Sequence, residues 1–217
     1  MADGDLPTAT PLYAEDLEAL CNLDEALIRK SLESRSSGSK TAVALIPNID
    51  TIRWHHARED FVGTELYGKA PKIRGAIVGT EEGKRVWCYW TRMWYNEDPM
   101  QSKGNTMYIL RIVIEDDGSS NWEGQDVNAS SSNHKHDAAI TALFALAQQE
   151  AEEWKMEEVM AWNPSAATLA AAEKLHPTAK VIDRDLESIA SLQWYPPHEG
   201  RIAESIDWVG NERYGWC

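Results

Sequence analysis

The sequence is poor in cysteine, in basic residues and in long apolar runs, and each shortage removes a class of explanation. Its three cysteines, Cys21, Cys88 and Cys217, are odd in number and far apart. They can form neither a disulfide framework nor a CxxC metal knuckle, which makes a reducing compartment the default expectation. Lys and Arg number 21 against 35 Asp and Glu, a formal net charge of −14 with a pI near 4.8. Affinity for a phosphate backbone rests on clustered cations, so nucleic acid is excluded as a partner. Acidity of this size serves solubility, and its natural electrostatic complement is a cationic ligand. No run approaches the roughly 20 apolar residues that span a bilayer, and MADGDLPTATPLY has no apolar signal core. A cytoplasmic protein without membrane contact is expected. Phenylalanine is also scarce, two residues against ten tryptophans.

What is present suits one domain from residue 14 to 217, preceded by a flexible arm at 1–13 that carries Pro7 and Pro11. Residues 14–40 read as a helical lead-in, broken near Asn22 to Asp24, and a Ser/Gly linker. Thr41 to Ile46 is a short strand stopped by Pro47. Asn48 or Asp50 caps a helix running to about Leu66. Lys72 to Gly79 and Arg85 to Tyr95 form a hairpin, and the Met107 strand (MYILRIVI) adds a third antiparallel strand. Past a Ser/Asn-rich loop from Glu115 to His136, apolar residues Ile140, Leu143, Phe144, Ala147, Ala151 and Trp154 recur at steps of three and four. This spacing predicts an amphipathic helix with Asp137 at its cap. A strand at EEVMAW completes a crossover, which implies parallel neighbours. Asn163-Pro164 then opens a further helix as N-cap and first turn. Ala179 to Asp183 and Ile189 to Trp194 are the closing strands.

This element order resembles the GCN5-related N-acetyltransferase (GNAT) fold: an α/β, mixed, mostly antiparallel central sheet with helices on both faces and a crossover between its fourth and fifth strands. LIPNIDTIRWHHARED, EEVMAWNPS, SIASLQWY and DWVGNERYGWC resemble, more narrowly, the C-terminal half of the fungal lysine N6-acetyltransferases of lysine degradation. The resemblance implies acetyl transfer from acetyl-CoA to the side-chain amine of L-lysine. It places the thioester in a gap between Leu110 to Ile114 and Val159 to Trp162. There the backbone amide of Ile112 or Val113 would polarise the thioester carbonyl, and Asn163 would contact the pantetheine arm. Two family features are absent. The pyrophosphate loop's glycines are replaced by SSSNHKHDAA, and the tyrosine before Glu-Lys-Leu is Ala172. The implied arrangement is an amine-substrate half partnered by a catalytic N-terminal acetyltransferase half, with a non-catalytic interaction or dimerisation module as the alternative. Whether the isolated chain is an enzyme stays open.

Several residues invite chemistry. Lys135, between His134 and His136, is placed to meet pyrophosphate by charge alone, in what otherwise reads as a solvated loop. Glu115, at the end of the Met107 strand, could deprotonate a lysine ammonium. Glu59 or Asp60 could hold that ammonium. Trp90, within VWCYWTRMWY, is a candidate wall of an aromatic box around an alkylammonium, against the alternative of core packing. His55, His56, Glu59 and Asp60 do not make a metal site, because the two histidines diverge by about 100° on a helix and no third ligand is identifiable. Cys88 reads as a buried thiol.

Overall fold

A computed structural model describes residues 6–35, 40–115, 136–182, 191–195 and 205–216. In chain order the elements are β1 (Ala9–Leu12), α1 (Leu17–Arg35), β2 (Thr41–Val43), α2 (Ile49–Tyr67), β3 (Gly75–Val78), β4 (Val86–Met93), β5 (Thr106–Ile114), α3 (Asp137–Glu153), β6 (Glu158–Ala161), α4 (Ala166–Leu175) and β7 (Ile206–Trp208). A short 3-10 turn at Arg213–Gly215 follows. The main sheet has the order β1-β3-β4-β5-β6, antiparallel except for the parallel pair β5/β6 across the α3 crossover. β2 and β7 form a separate parallel pair. The expected mixed, mostly antiparallel sheet is thus present.

Both sheet faces are covered because the strands alternate apolar residues on both sides. Val86, Cys88 and Trp90 of β4 meet Ile140, Leu143, Phe144 and Ala147 of α3. Trp87 and Tyr89 face Leu17, Leu20 and Cys21 of α1 and Ile52 of α2. In β5 the alternation changes parity. Tyr89 pairs with Arg111 but Trp90 pairs with Ile109, so one extra β5 residue is inserted, a β-bulge. Ile109 and Ile112 consequently lie on one face, with Leu110 and Val113 on the other.

The termini of α2 follow the sequence. Asn48 Oδ1 accepts from the Thr51 amide at 2.9 Å, and the helix stops at Gly68, whose φ of 68° is favourable only without a Cβ. Five expectations need correction. Residues 9–12 are not part of a free arm but an edge strand on β3, where Pro11 is tolerated because the outer side needs no donor. α1 runs unbroken through Asn22 to Asp24, since Asp24 is buried against Arg111 and so holds the helix to the sheet. Asp137 is the first residue of α3 rather than its cap; the cap position is His136, which makes no side-chain cap hydrogen bond. Asn163 does not cap α4, because Ser165 Oγ takes the Thr168 amide at 3.1 Å. Finally, Ala179 to Ile182 and Ser191 to Trp194 are not strands. The strand near the C-terminus is β7, which finds its partner in β2. Asp183, Ile189 and Ala190, most of the linker and residues 116–135 of the long loop lie outside the described residues.

Candidate functional site

Strands β5 and β6 pair from Thr106 and Glu158 as far as Ile109 and Ala161. Pairing ends where the bulge adds twist to β5, and the strands part. The resulting cleft is lined by Ile109, Ile112, Ala161, Trp162, Asn163 and Glu212 among others. The resemblance implied a gap between Leu110 to Ile114 and Val159 to Trp162; here Val159 to Ala161 still pair with β5, and the strands part only beyond Ala161. Asn163 turns the chain into α4 in a left-handed conformation, φ 47°. That conformation is open to asparagine at modest cost.

The C-terminal segment fills this cleft. Glu212 accepts from the Ile112 amide through Oε2 at 3.2 Å, and its Oε1 accepts from Arg111 Nη1. Arg111 is itself locked by a fork onto Asp24, with Nε and Nη2 donating at 3.0 and 2.9 Å. One guanidinium therefore serves two carboxylates. Burial raises the Glu212 carboxyl above its ordinary range, and the attraction of Arg111 offsets only part of that. Arg111 is held still more firmly protonated than usual: burial acts against its charge, but Asp24 and Glu212 outweigh it.

The rest of the segment is fastened around Glu212. The Asn163 side chain donates to the Asn211 carbonyl. The Arg213 guanidinium lies 4.7 Å from the Tyr108 ring centre and 4.8 Å from that of Trp162, a cation-π sandwich. The Tyr214 hydroxyl reaches the carbonyls of Leu45 and Gly210 at 2.7 and 2.9 Å, and His55 Nε2 donates to the Tyr214 carbonyl at 2.9 Å. A cavity of about 20 Å³ remains in the cleft. The Ile112 amide, which the resemblance would set against a thioester carbonyl, already has an acceptor in Glu212.

The other residues singled out from the sequence are scattered. Glu115, the residue after the cleft-lining Ile114, accepts from the Arg85 amide at 2.9 Å and from Arg85 Nε at 2.8 Å. Burial pushes its carboxyl up, but the Arg85 donors prevail and hold it below the usual range. Its carboxylate is paired with Arg85 at 2.5 Å. Glu59 is wholly buried, bridging Arg74 and Arg92 at 2.6 Å each, and Arg92 continues to Glu150 at 2.5 Å. Asp60 meets Arg74 from the outer side, with its side chain 41% exposed. Trp90 is core: it is fully buried and its indole donates to the Ile73 carbonyl at 3.2 Å. Val113 packs on the α1 side of the sheet. Lys135 lies outside the described residues.

His56 donates from Nε2 to the Trp90 carbonyl at 3.0 Å; burial, helped by Arg74, lowers it to about 3, so it is neutral. Among the described residues, no group of three or more His, Cys, Asp and Glu is placed to hold a metal. Likewise, no helix among them is long and apolar enough to cross a membrane.

The sequence gives no role to Asp24, Arg111, Glu212 or Arg213, whereas the resemblance implied one for the amide of Ile112 or Val113. One signal was available. Arg111 interrupts the apolar run MYILRIVI, and a charge within a two-sided buried strand requires a partner of opposite sign.

A family model described as the LYC1 GNAT-like C-terminal domain matches residues 2–217. No curated protein and no solved structure matches the chain.

Proposed function

The chain belongs to the LYC1 GNAT-like C-terminal domain family, and from that premise we propose that it is the amine-substrate half of a lysine N6-acetyltransferase. In this reading it binds L-lysine, while a catalytic acetyltransferase half brings the acetyl group from acetyl-CoA to make N6-acetyllysine. The observation that carries the reading is the family match over nearly the whole chain. Acetyltransferases of this fold use acetyl-CoA, and a cleft filled by Glu212 fits the half that does not grip it. The net charge of −14 favours a small cation. Of Glu59, Asp60 and Trp90, Asp60 alone presents its side chain to solvent, and it is the remaining candidate for the ammonium contact.

The filled cleft also favours a second reading, a non-catalytic interaction or homodimerisation module that no longer binds acetyl-CoA. Calorimetric titration of the full chain separates the two. L-Lysine binding without acetyl-CoA binding is expected from the first. Binding of neither ligand, with self-association in sedimentation, would leave the second.

A further inference from the structure

We propose that Glu212 is a built-in occupant of the acyl position, so that this chain holds its own crossover cleft shut against acetyl thioesters. The inference rests on the reading above, in which this half does not hold the acetyl donor, and it says how that exclusion is built.

The donors in the gap are few and fixed. The bulge in β5 leaves the Ile112 amide directed at the gap, where it donates to Glu212 at 3.2 Å. Arg111 supplies a second donor, and its fork onto Asp24 fixes the guanidinium plane. Together they form a receptor for a carbonyl or carboxylate. A carboxylate accepts more strongly than a neutral thioester carbonyl. Being tethered, it also competes at a high effective concentration. The contacts of Asn211, Arg213 and Tyr214 keep the segment in place independently of the Glu212 side chain. Beyond its Cβ that side chain is one methylene and one carboxylate, the size of acetate. Cutting it back to alanine therefore removes an acetate-sized group and leaves the receptor standing.

The test uses the full chain and its Glu212→Ala variant, with sodium acetate and S-acetyl-N-acetylcysteamine as probes. The second is an acetyl thioester without a pyrophosphate, so the missing glycine loop does not enter. Acetate is expected to raise the unfolding temperature of Glu212→Ala saturably, with sodium chloride at equal ionic strength as control and the parent chain unresponsive. The thioester is expected to shift the Ile112 amide resonance in the variant, binding about tenfold or more tighter than to the parent. A folded variant that responds to neither probe would overturn the proposal. If Glu212→Ala does not fold unaided, refolding in acetate but not in chloride supports it, and refolding in neither overturns it. Titration with L-lysine keeps the two readings apart. A parent chain that binds lysine while its folded variant ignores both acyl probes sinks this inference alone. An acyl response from the variant sustains this inference even if the parent binds no lysine, and the amine-site reading then falls.

Discussion

His56 is a buried ionisable side chain held by a backbone carbonyl, and it shows what that costs in acid. The residue is 6% exposed and its ring gives its one N–H to the Trp90 carbonyl, so protonation adds a second proton with burial and Arg74 against it. The folded value is about 3 against an ordinary 6.5. A histidine lowered in the folded state contributes its full share of stability above 6.5. It loses that share progressively as pH falls from 6.5 toward 3, because the unfolded chain takes up the proton first. Between pH 7 and pH 5 the loss is about 2 kcal/mol. Glu59, Glu150 and Glu212 are raised, mainly by burial, and act with opposite sign, losing stability as pH climbs above 4.5. A single curve would mix these effects. The difference between the parent chain and His56→Gln, which keeps an N–H for the carbonyl, isolates the histidine. Urea denaturation at pH 7 and pH 5 is expected to show the parent losing about 2 kcal/mol more than the variant. Equal losses would mean that His56 titrates normally.

At the scale of elements, β3 lies so close to β4 that a side chain at Gly75 has no room. A Cβ there would collide with the Cys88 carbonyl oxygen and stand 3.3 Å from the Tyr89 Cα. Both are backbone atoms of the central strand and cannot swing aside. Gly75→Ala is expected to lower stability by about 3 kcal/mol, the upper end for overpacking, with faster amide exchange in β3 and the β1 edge it supports. A loss under about 0.5 kcal/mol, the range of neutral surface changes, would contradict this close approach.

Elements of this kind were legible in the sequence because their causes are local. Asn48 caps α2 through a residue three positions on, and the apolar steps of α3 repeat every turn. The strand alternation of β4 likewise belongs to adjacent residues. What could not be read depends on distant partners. β7 is three residues long and becomes a strand only by lying beside β2. Glu59 and Trp90 look available in sequence, yet Arg92 consumes the first and the α3 face buries the second. A gap beside β5 was implied only by the resemblance. Its occupant was not implied, since nothing near Glu212 in sequence points to Ile112, a hundred residues earlier.

For the whole molecule, the same long-range pairing makes Arg111 a joint between three parts of the chain. It ties Asp24 of α1, 87 positions away in sequence, and Glu212, 101 positions away, to the centre of the sheet. Arg111, Asp24 and Glu212 have side-chain exposures of 3%, 0% and 14%. In Arg111→Met both carboxylates would lose their countercharge while still excluded from water. Breaking a buried pair from one side costs about 3–5 kcal/mol. The loss is expected to shrink as pH falls toward 4.5, because a carboxyl already raised by burial, as Glu212 is, then takes up a proton and needs no cation. Hydrogen exchange locates the effect. Amides near Asp24 and amides from 206 to 214 should both exchange faster in the variant, although neither stretch is mutated. Acceleration in α1 alone, with the C-terminal segment as protected as before, would show that this segment is held by Tyr214 and Arg213 without Arg111. Acceleration in both would make the closure of the cleft and the seating of the first helix one cooperative property, carried by a single buried guanidinium.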